Sequence, residues 1–499
     1  MDFCDAARVP YIISKQRRNV VRIIGSFGPD KDNHATRSPA GYRREIGGAA
    51  YLWPMASSPL FLGLDLGTTS AKVCAFDAAG TLIAERSGGY ALRYPSAGAA
   101  VQDAPEIVAV AERILREILA DLPAAPAGIG ISAAMHGLLL LNREGEPLGP
   151  ILTWADVRAQ AVMADFGPEL RDRLRYRTGT PVHPMSPLVK LRWLHERHPE
   201  RVGRASTVAD LKTYLLHRWT TAGYVQDEQL ASATGLLDLR TRTWDEEALR
   251  LAGGDAPLKL GLPRVVPATT RLSWRPAVAE RLGVGRVPLF IGGSDGCLAN
   301  LGSGLLQPGK VALTVGTSGA VRATHRGTSR RADHQLFDYL LFEDYRVLGG
   351  ATNNGGKVIE WLYDLLRAHF SDIGDMIDQA IAAPDRGIVF QPYLNGERAP
   401  VWDALATASF TGLRGSHTAA DLARAVVLGV TDNLIEILRQ VEAATCPAEV
   451  IYASGGFTRS AAWVELLAAR SGRRVEVAHT PQASAYGAAL IAERGLRQD

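Results

Sequence analysis

The residues best equipped for chemistry sit in two short glycine loops, DLGTTSAKV (65–73) and TVGTSGAVR (314–322). A glycine after a strand lets backbone N–H groups approach an anion, and neighbouring threonine and serine hydroxyls add donors. Superposing the segments sets Asp65 over Thr314, Gly67 over Gly316, Thr68 over Thr317 and Thr69 over Ser318. Two such loops on opposite walls of a cleft suit a nucleotide, each holding different phosphates. The single acid fits that division, because Mg2+ is bound by one or two carboxylates plus phosphate oxygens and waters. Asp65 would organise the metal, whereas Thr314 needs only to neighbour phosphate. The plainer alternative is a tight hairpin with an incidental aspartate, and a repeat this short also arises by chance.

A second acid stands in VPLFIGGSDGCLANLG (287–302), where a strand signal runs to Ile291, a glycine pair follows, and Asp295 precedes a helix. Either Ser294 or Asp295 is an N-cap, worth about 1 kcal/mol, or Asp295 is a catalytic carboxylate accepting the proton of an attacking hydroxyl. Two further turns, ATNNGGKVIEWL (351–362) with Gly355 and Gly356, and EVIYASGGFTRSAAW (449–463) with Gly455 and Gly456, also join strands to helices. Each alone reads as a simple loop; four small-residue loops at strand ends point to nucleotide binding. SAAMHGLLLL (132–141) places His136 in an apolar setting, and TWADVRAQ (153–160) supplies Trp154, Asp156 and Arg158. A lone histidine there is commonly a core residue, and Asp beside Arg commonly an ion pair. An indole face with paired donors and acceptors nevertheless suits a polyhydroxy compound, and Arg158, His136 or Lys190 could meet a carboxylate.

The elements that must position these groups follow from periodicity. LFLGLDLG (60–67) reads as a buried strand, SAKVCAFD (70–77) alternates, and TLIAERSGGY (81–90) completes a meander with the first loop at its first corner. Asp103 opens a helix whose Ile107, Val110, Ala111, Ile114, Leu115, Ile118 and Leu122 mark one face, and AGIGIS (127–132) is another buried strand. That is an α/β pattern. Strand, Gly-Thr loop and strand recur after QPGK (307–310), which implies two domains of like topology facing each other across a cleft, divided near residue 305. A chain of 499 residues accommodates two large domains. Residues 1–55 hold nine cations against five anions, a balance of +4, so the rest of the chain carries −1 of the net +3. The near-neutral body gives no argument for nucleic acid. The stretch 1–58 reads as a basic, disordered extension. No apolar run of about 18 residues argues for a membrane span. The four scattered cysteines read as reduced thiols of a cytoplasmic protein.

DLGTTS, MHG, TWADVR, GGSDG, VGTSG, NNGG, NGERAP and SGGFTRS occur in an order that resembles the FGGY family of carbohydrate kinases, over roughly residues 59–494. The resemblance implies two ribonuclease H-like domains of the actin type flanking a cleft: an N-terminal domain (59–305) for sugar, metal and phosphate, and a C-terminal domain (306–499) for nucleotide. It implies that Asp65 and Gly67, Thr68, Thr69 and Ser70 contact metal and phosphate. It makes Asp295 the catalytic base beside the metal, and puts Met135, His136, Asp156 and Arg158 near the sugar, where the Trp154 indole also belongs. It places Gly316, Thr317 and Ser318 on ATP phosphates and Gly355, Gly356, Gly455, Gly456 and Arg459 around the nucleotide. Several stretches, among them SAAMHGLLLLNREGEPL, ILTWADVRA and YLNGERAPVWD, look like gluconokinases, whereas xylulokinases usually carry W-N-D in place of WADVR. The expectation is ATP- and Mg2+-dependent phosphorylation of a sugar acid, D-gluconate to 6-phospho-D-gluconate, by a protein able to form a homodimer. The alternatives are a xylulokinase or other polyol kinase and, in another class, a nucleotide-binding sensor without catalysis. Two positions depart from the pattern: Gly137, where many gluconokinases have Ser, and Leu428, where the family usually has an acid.

Overall fold

The computed structural model describes residues 59–254, 258–327, 335–478, 480 and 482–498; the extension expected over 1–58 lies outside them. The apolar run before the first loop forms β1 (Phe61–Leu66), which turns into β2 (Ser70–Phe76) and returns as β3 (Leu82–Gly89). Helix α1 (Ala104–Asp121) starts where the Asp103 carboxylate accepts the Glu106 N–H at 2.9 Å. It buries Ile107, Val108, Ala111, Ile114, Leu115 and Ile118, with Val108 taking the core place expected of Val110. Strand β4 (Gly128–Ala133) then runs parallel to β1. Helices α2 (Pro187–Arg197) and α3 (Leu211–Trp219) follow. Strands β5 (Arg271–Leu272) and β6 (Leu289–Ser294) finish a sheet of order β5-β6-β4-β1-β2-β3, and β6 runs directly into α4 (Asp295–Gly302).

The second lobe repeats the plan. Its strands are β7 (Lys310–Val315), β8 (Gly319–Arg326), β9 (Phe337–Phe342) and β10 (Tyr345–Thr352). Helices α5 (Gly356–Leu366) and α6 (Ala419–Ala444) precede β11 (Val450–Ser454). Then come α7 (Ala461–Ser471), β12 (Arg474–Val477) and α8 (Ala483–Gln498). The order is β9-β10-β8-β7-β11-β12. In each sheet the strand entering the glycine loop pairs antiparallel with the strand leaving it and parallel with the strand beyond the next helices. The superposition made from sequence therefore holds in register: Asp65 lies opposite Ser132 on β4, and Thr314 opposite Ser454 on β11. Leu62, Leu64, Ile114, Ile129, Ile131 and Leu289 fill one core, and Leu313, Val321, Val430, Leu434 and Ile451 the other.

The lobes join along β9. The Gln229 amide donates to Leu341 O at 2.6 Å, the Leu340 N–H to Ser232 Oγ at 3.0 Å, and the Asp338 N–H to Gly179 O at 2.8 Å. Although α8 comes last in the chain, it packs on the first lobe. A Cβ added at Gly63 or Gly130 would run into the Ala485 or Ala488 carbonyl oxygen, so only glycine lets the helix backbone lie on that sheet.

Candidate active site

The first loop is held from three sides. The Tyr90 hydroxyl donates to Gly67 O at 2.6 Å, the Gln102 amide to Thr68 O at 2.5 Å, and the Trp154 indole N–H to Thr68 Oγ1 at 3.0 Å. At the end of β1, Asp65 accepts the Ser132 hydroxyl at 2.6 Å. Burial pushes its carboxyl above the usual range, against the pull of that hydrogen bond and of Lys72. In the second lobe the Thr314 and Ser454 hydroxyls make the corresponding contact at 2.8 Å. Asp65 therefore has a neutral counterpart, and the carboxylate belongs to one wall only.

Asp295 is aimed by a β-bulge. The register of β6 against β4 shifts between Phe290 and Gly293, and Gly292 takes a φ of 70° where a Cβ would meet Ile131 O. From below, Lys212 donates to Gly293 O at 2.8 Å and pairs with Asp227 at 2.6 Å, while Gln229 Oε1 accepts the Ser294 N–H at 2.9 Å. Ser294 occupies the N-cap position of α4, yet its side chain makes no capping bond. The strand thus continues three residues past Ile291 and delivers Asp295 at its tip. The Asp295 carboxylate accepts the Gly296 N–H at 2.8 Å and a bond from the Met135 N–H. Burial, then the Asp65 charge, raise its pKa to about 6, while Arg322 on β8 pulls it back. Asp65, Asp295 and Met135 of one lobe are thereby brought together with Arg322 of the other.

The glycine turns of the second lobe interlock. The first two N–H groups of α5, from Gly356 and Lys357, donate to Gly316 O at 2.7 Å and Thr317 O at 3.2 Å. A Cβ at Gly355 would press on the Ser318 carbonyl, and one at Gly455 on the Val315 carbonyl. Gly316, Thr317, Ser318, Gly355, Gly356, Gly455 and Gly456 thus cluster around the end of β7. Arg459, in the turn that follows, is exposed. Behind the cluster, the fully buried Glu397 accepts from Thr352 Oγ1 (2.7 Å), Asn353 N (3.0 Å), Asn354 Nδ2 (3.2 Å), Arg398 N (2.7 Å) and Asn433 Nδ2 (3.0 Å).

On the expected sugar side, His136 adopts a left-handed φ of 63° at the end of β4, a conformation rare for a residue with a Cβ. Its Nδ1 lies 2.8 Å from Ala233 O, which fixes the proton there and leaves Nε2 as an acceptor. Burial, helped by Lys190, lowers its pKa to about 3, so the ring is neutral. Lys190 is itself spent on the carbonyls of His136 (2.7 Å), Thr153 (2.6 Å) and Leu152 (3.3 Å). Arg398 lies over the Trp154 ring, 5.0 Å from its centroid. Asp156 and Arg158 turn to each other: Arg158 donates to both carboxylate oxygens, at 2.7 Å for the shorter terminal contact, and rests over Trp193. Sequence reasoning missed Arg322, Arg398, His183 and Glu397. Arg322 closes the TVGTSGAVR segment, and Glu397 and Arg398 sit inside NGERAP, but position in a motif says nothing about which buried donors lack partners. A surface recess of about 550 Å³ lined by Glu112, His217, Arg275 and Arg281 shares no residue with this constellation.

No described helix is long and apolar enough to cross a membrane. Residues 60–302 match the family model of the N-terminal domain of the FGGY carbohydrate kinases, and residues 311–496 that of the C-terminal domain. The chain is 35% identical to a gluconokinase of Bacillus licheniformis over 86% of each chain. It is 29% identical to a xylulose kinase of Lactococcus lactis over 75% of each. A gluconate kinase crystal structure from Lactobacillus acidophilus aligns with a TM-score of 0.82 at 32% identity, covering 89% of this chain and 90% of that one. A ligand-bound xylulose kinase from the same organism aligns at 0.81 and 31%, covering 88% and 90%.

Proposed function

The chain belongs to the FGGY family of carbohydrate kinases, a family of phosphotransferases, and from that premise we propose that it transfers the terminal phosphoryl group of ATP to the 6-hydroxyl of D-gluconate. The observation that carries this reading is the placement of Asp295 at the tip of β6, half-buried, within reach of the Asp65 charge and held by two backbone N–H groups. Likeness to gluconokinases supports the choice of sugar acid.

Asp295 aligns the 6-hydroxyl and takes its proton as the oxygen–phosphorus bond forms and the bond from phosphorus to the ADP oxygen breaks. Such transfer depends mainly on positioning and charge stabilisation. The N–H and hydroxyl groups of Gly67, Thr68, Thr69 and Ser70 on one wall and of Gly316, Thr317 and Ser318 on the other hold the phosphates. The turns at Gly355, Gly356, Gly455, Gly456 and Arg459 face the rest of the nucleotide. His136 Nε2 accepts from a sugar hydroxyl, Met135 and Trp154 bound the chain of the substrate, and the Asp156–Arg158 pair holds the Trp154 segment against it.

Asp65 and Asp295 fit Mg2+: two half-buried carboxylates lie close enough for one charge to raise the other's pKa, and this cation takes few protein ligands. Bound there, it would offset charge on the phosphate oxygens. ATP as donor puts the reaction in the cytoplasm, and a homodimer is part of the same reading.

The test is ADP release from MgATP with D-gluconate, D-xylulose, glycerol, L-ribulose or no sugar. Release with D-gluconate is expected. Release only with D-xylulose would keep Asp65 and Asp295 in their roles and replace the substrate; Gly137, shared with xylulokinases, favours that second reading. ATP binding without release on any sugar would make the chain a sensor.

A further inference from the structure

Three buried donors on the sugar side of the cleft have no acceptor. Arg322 Nε on β8, Arg398 Nε in the NGERAP turn and His183 Nε2 are all shielded from solvent without a hydrogen-bond partner among the described residues. A guanidinium offers donors only. His183 is also a donor at that atom: its Nδ1 accepts the Met185 N–H at 3.2 Å, which leaves the proton of the neutral ring on Nε2. His183 and Arg398 are only 2% and 9% exposed.

The charge of Arg398 reaches His183, and that of Arg322 reaches Arg398. Burial and then the Arg398 charge lower the His183 pKa to about 3. Burial lowers that of Arg398 to about 10, with Glu397 opposing and the Arg322 charge adding to the fall. Asp295 is the acid whose charge reaches Arg322, yet the two form no ion pair among the described contacts. A buried donor without an acceptor is costly, and two cations within electrostatic reach of each other more so. The chain keeps all three although phosphate binding and proton removal are met by other residues. What relieves them together is a ligand that only accepts and is negatively charged.

We propose that Arg322, Arg398 and His183 form the subsite for the substrate's carboxylate, and that Arg322 selects a sugar acid over a neutral sugar. The proposal rests on the gluconate reading above. Arg322 and Arg398 belong to the second lobe and His183 to the first, so a carboxylate held by all three ties the lobes together. A neutral sugar leaves the donors unpaired, the situation in which a polar site discriminates most strongly.

The test compares D-gluconate with D-gluconamide, which keeps the chain and removes the charge, by calorimetric binding and by steady-state kinetics. The native protein should prefer gluconate by about 30-fold or more. Arg322→Met should shrink that preference about ten-fold, chiefly through KM, while Arg322→Lys keeps part of it. An unchanged preference in Arg322→Met, or equal weakening toward both ligands, would overturn the subsite while leaving gluconate phosphorylation in place. Should the methionine variant not fold by thermal unfolding, His183→Gln takes its place: a reduced preference supports the subsite, and an unchanged one overturns it. Native protein that releases ADP with D-xylulose and not with D-gluconate defeats the underlying reading instead.

Discussion

Single residues in this cleft differ from their surface counterparts through burial. Asp295, with a pKa raised to about 6 by burial and by Asp65, is ionised at neutral pH yet basic enough to take a proton. Its protonated form is unable to do so. The rate at low substrate should therefore fall about ten-fold per unit as pH drops below about 6, in a profile of kcat/KM. Asp295→Asn should lower kcat by about 100- to 10,000-fold while MgATP still binds by calorimetry, and it should abolish the acidic limb. Near-native turnover in that variant would remove Asp295 from the role of base. The acid itself was legible in GGSDG because it stands between a strand and a helix. His183 was not: its interest lies in a missing partner, and a missing partner is a property of neighbours far along the chain.

Elements act here by locking loops to one another. Glu397 receives five hydrogen bonds and connects β10, the NNGG turn, its own NGERAP turn and α6. Each donor faces an anion, so a carboxamide cannot satisfy all of them. Glu397→Gln should cost about 1–3 kcal/mol by urea denaturation and raise KM for ATP more than KM for the sugar. Equal effects on both KM values would show that the network supports the whole cleft rather than the nucleotide loops. The glycine turns were readable one by one. Their mutual latching, with α5 spending its first N–H groups on the VGTSG loop, was not, because hydrogen bonds between segments some 40 residues apart leave no local pattern.

Across the whole molecule, the last helix binds the lobe built first. Its backbone lies on Gly63 and Gly130 of the first sheet and on Gly302 of α4, and its own Gly487 meets Leu298. Gly130→Val should therefore destabilise by about 1–3 kcal/mol or more in denaturant, since the obstacle is backbone and not a side chain that can turn away. Gly203→Ala, with open space around it, should be neutral or gain up to about 1 kcal/mol. A harmless valine at 130 would mean that α8 does not seat there. Because α4 begins at Asp295, the same helix also braces the tip of β6.

By itself the sequence determined the α/β class, the duplicated strand–loop–strand unit, the family and the placement of Asp65 and Asp295 at strand ends. Each of these is written in local period, in glycine placement or in a contiguous motif. Only the tertiary structure decided that Lys190 is spent on three carbonyls, that Asp156 and Arg158 satisfy each other, that α8 belongs with the first lobe, and that Arg322 Nε, Arg398 Nε and His183 Nε2 are buried without a partner among the described residues, although Arg398 also donates to Thr352 O at 3.1 Å. Pairing and the lack of it depend on which distant groups burial brings within hydrogen-bond reach, and no window of the chain contains that information.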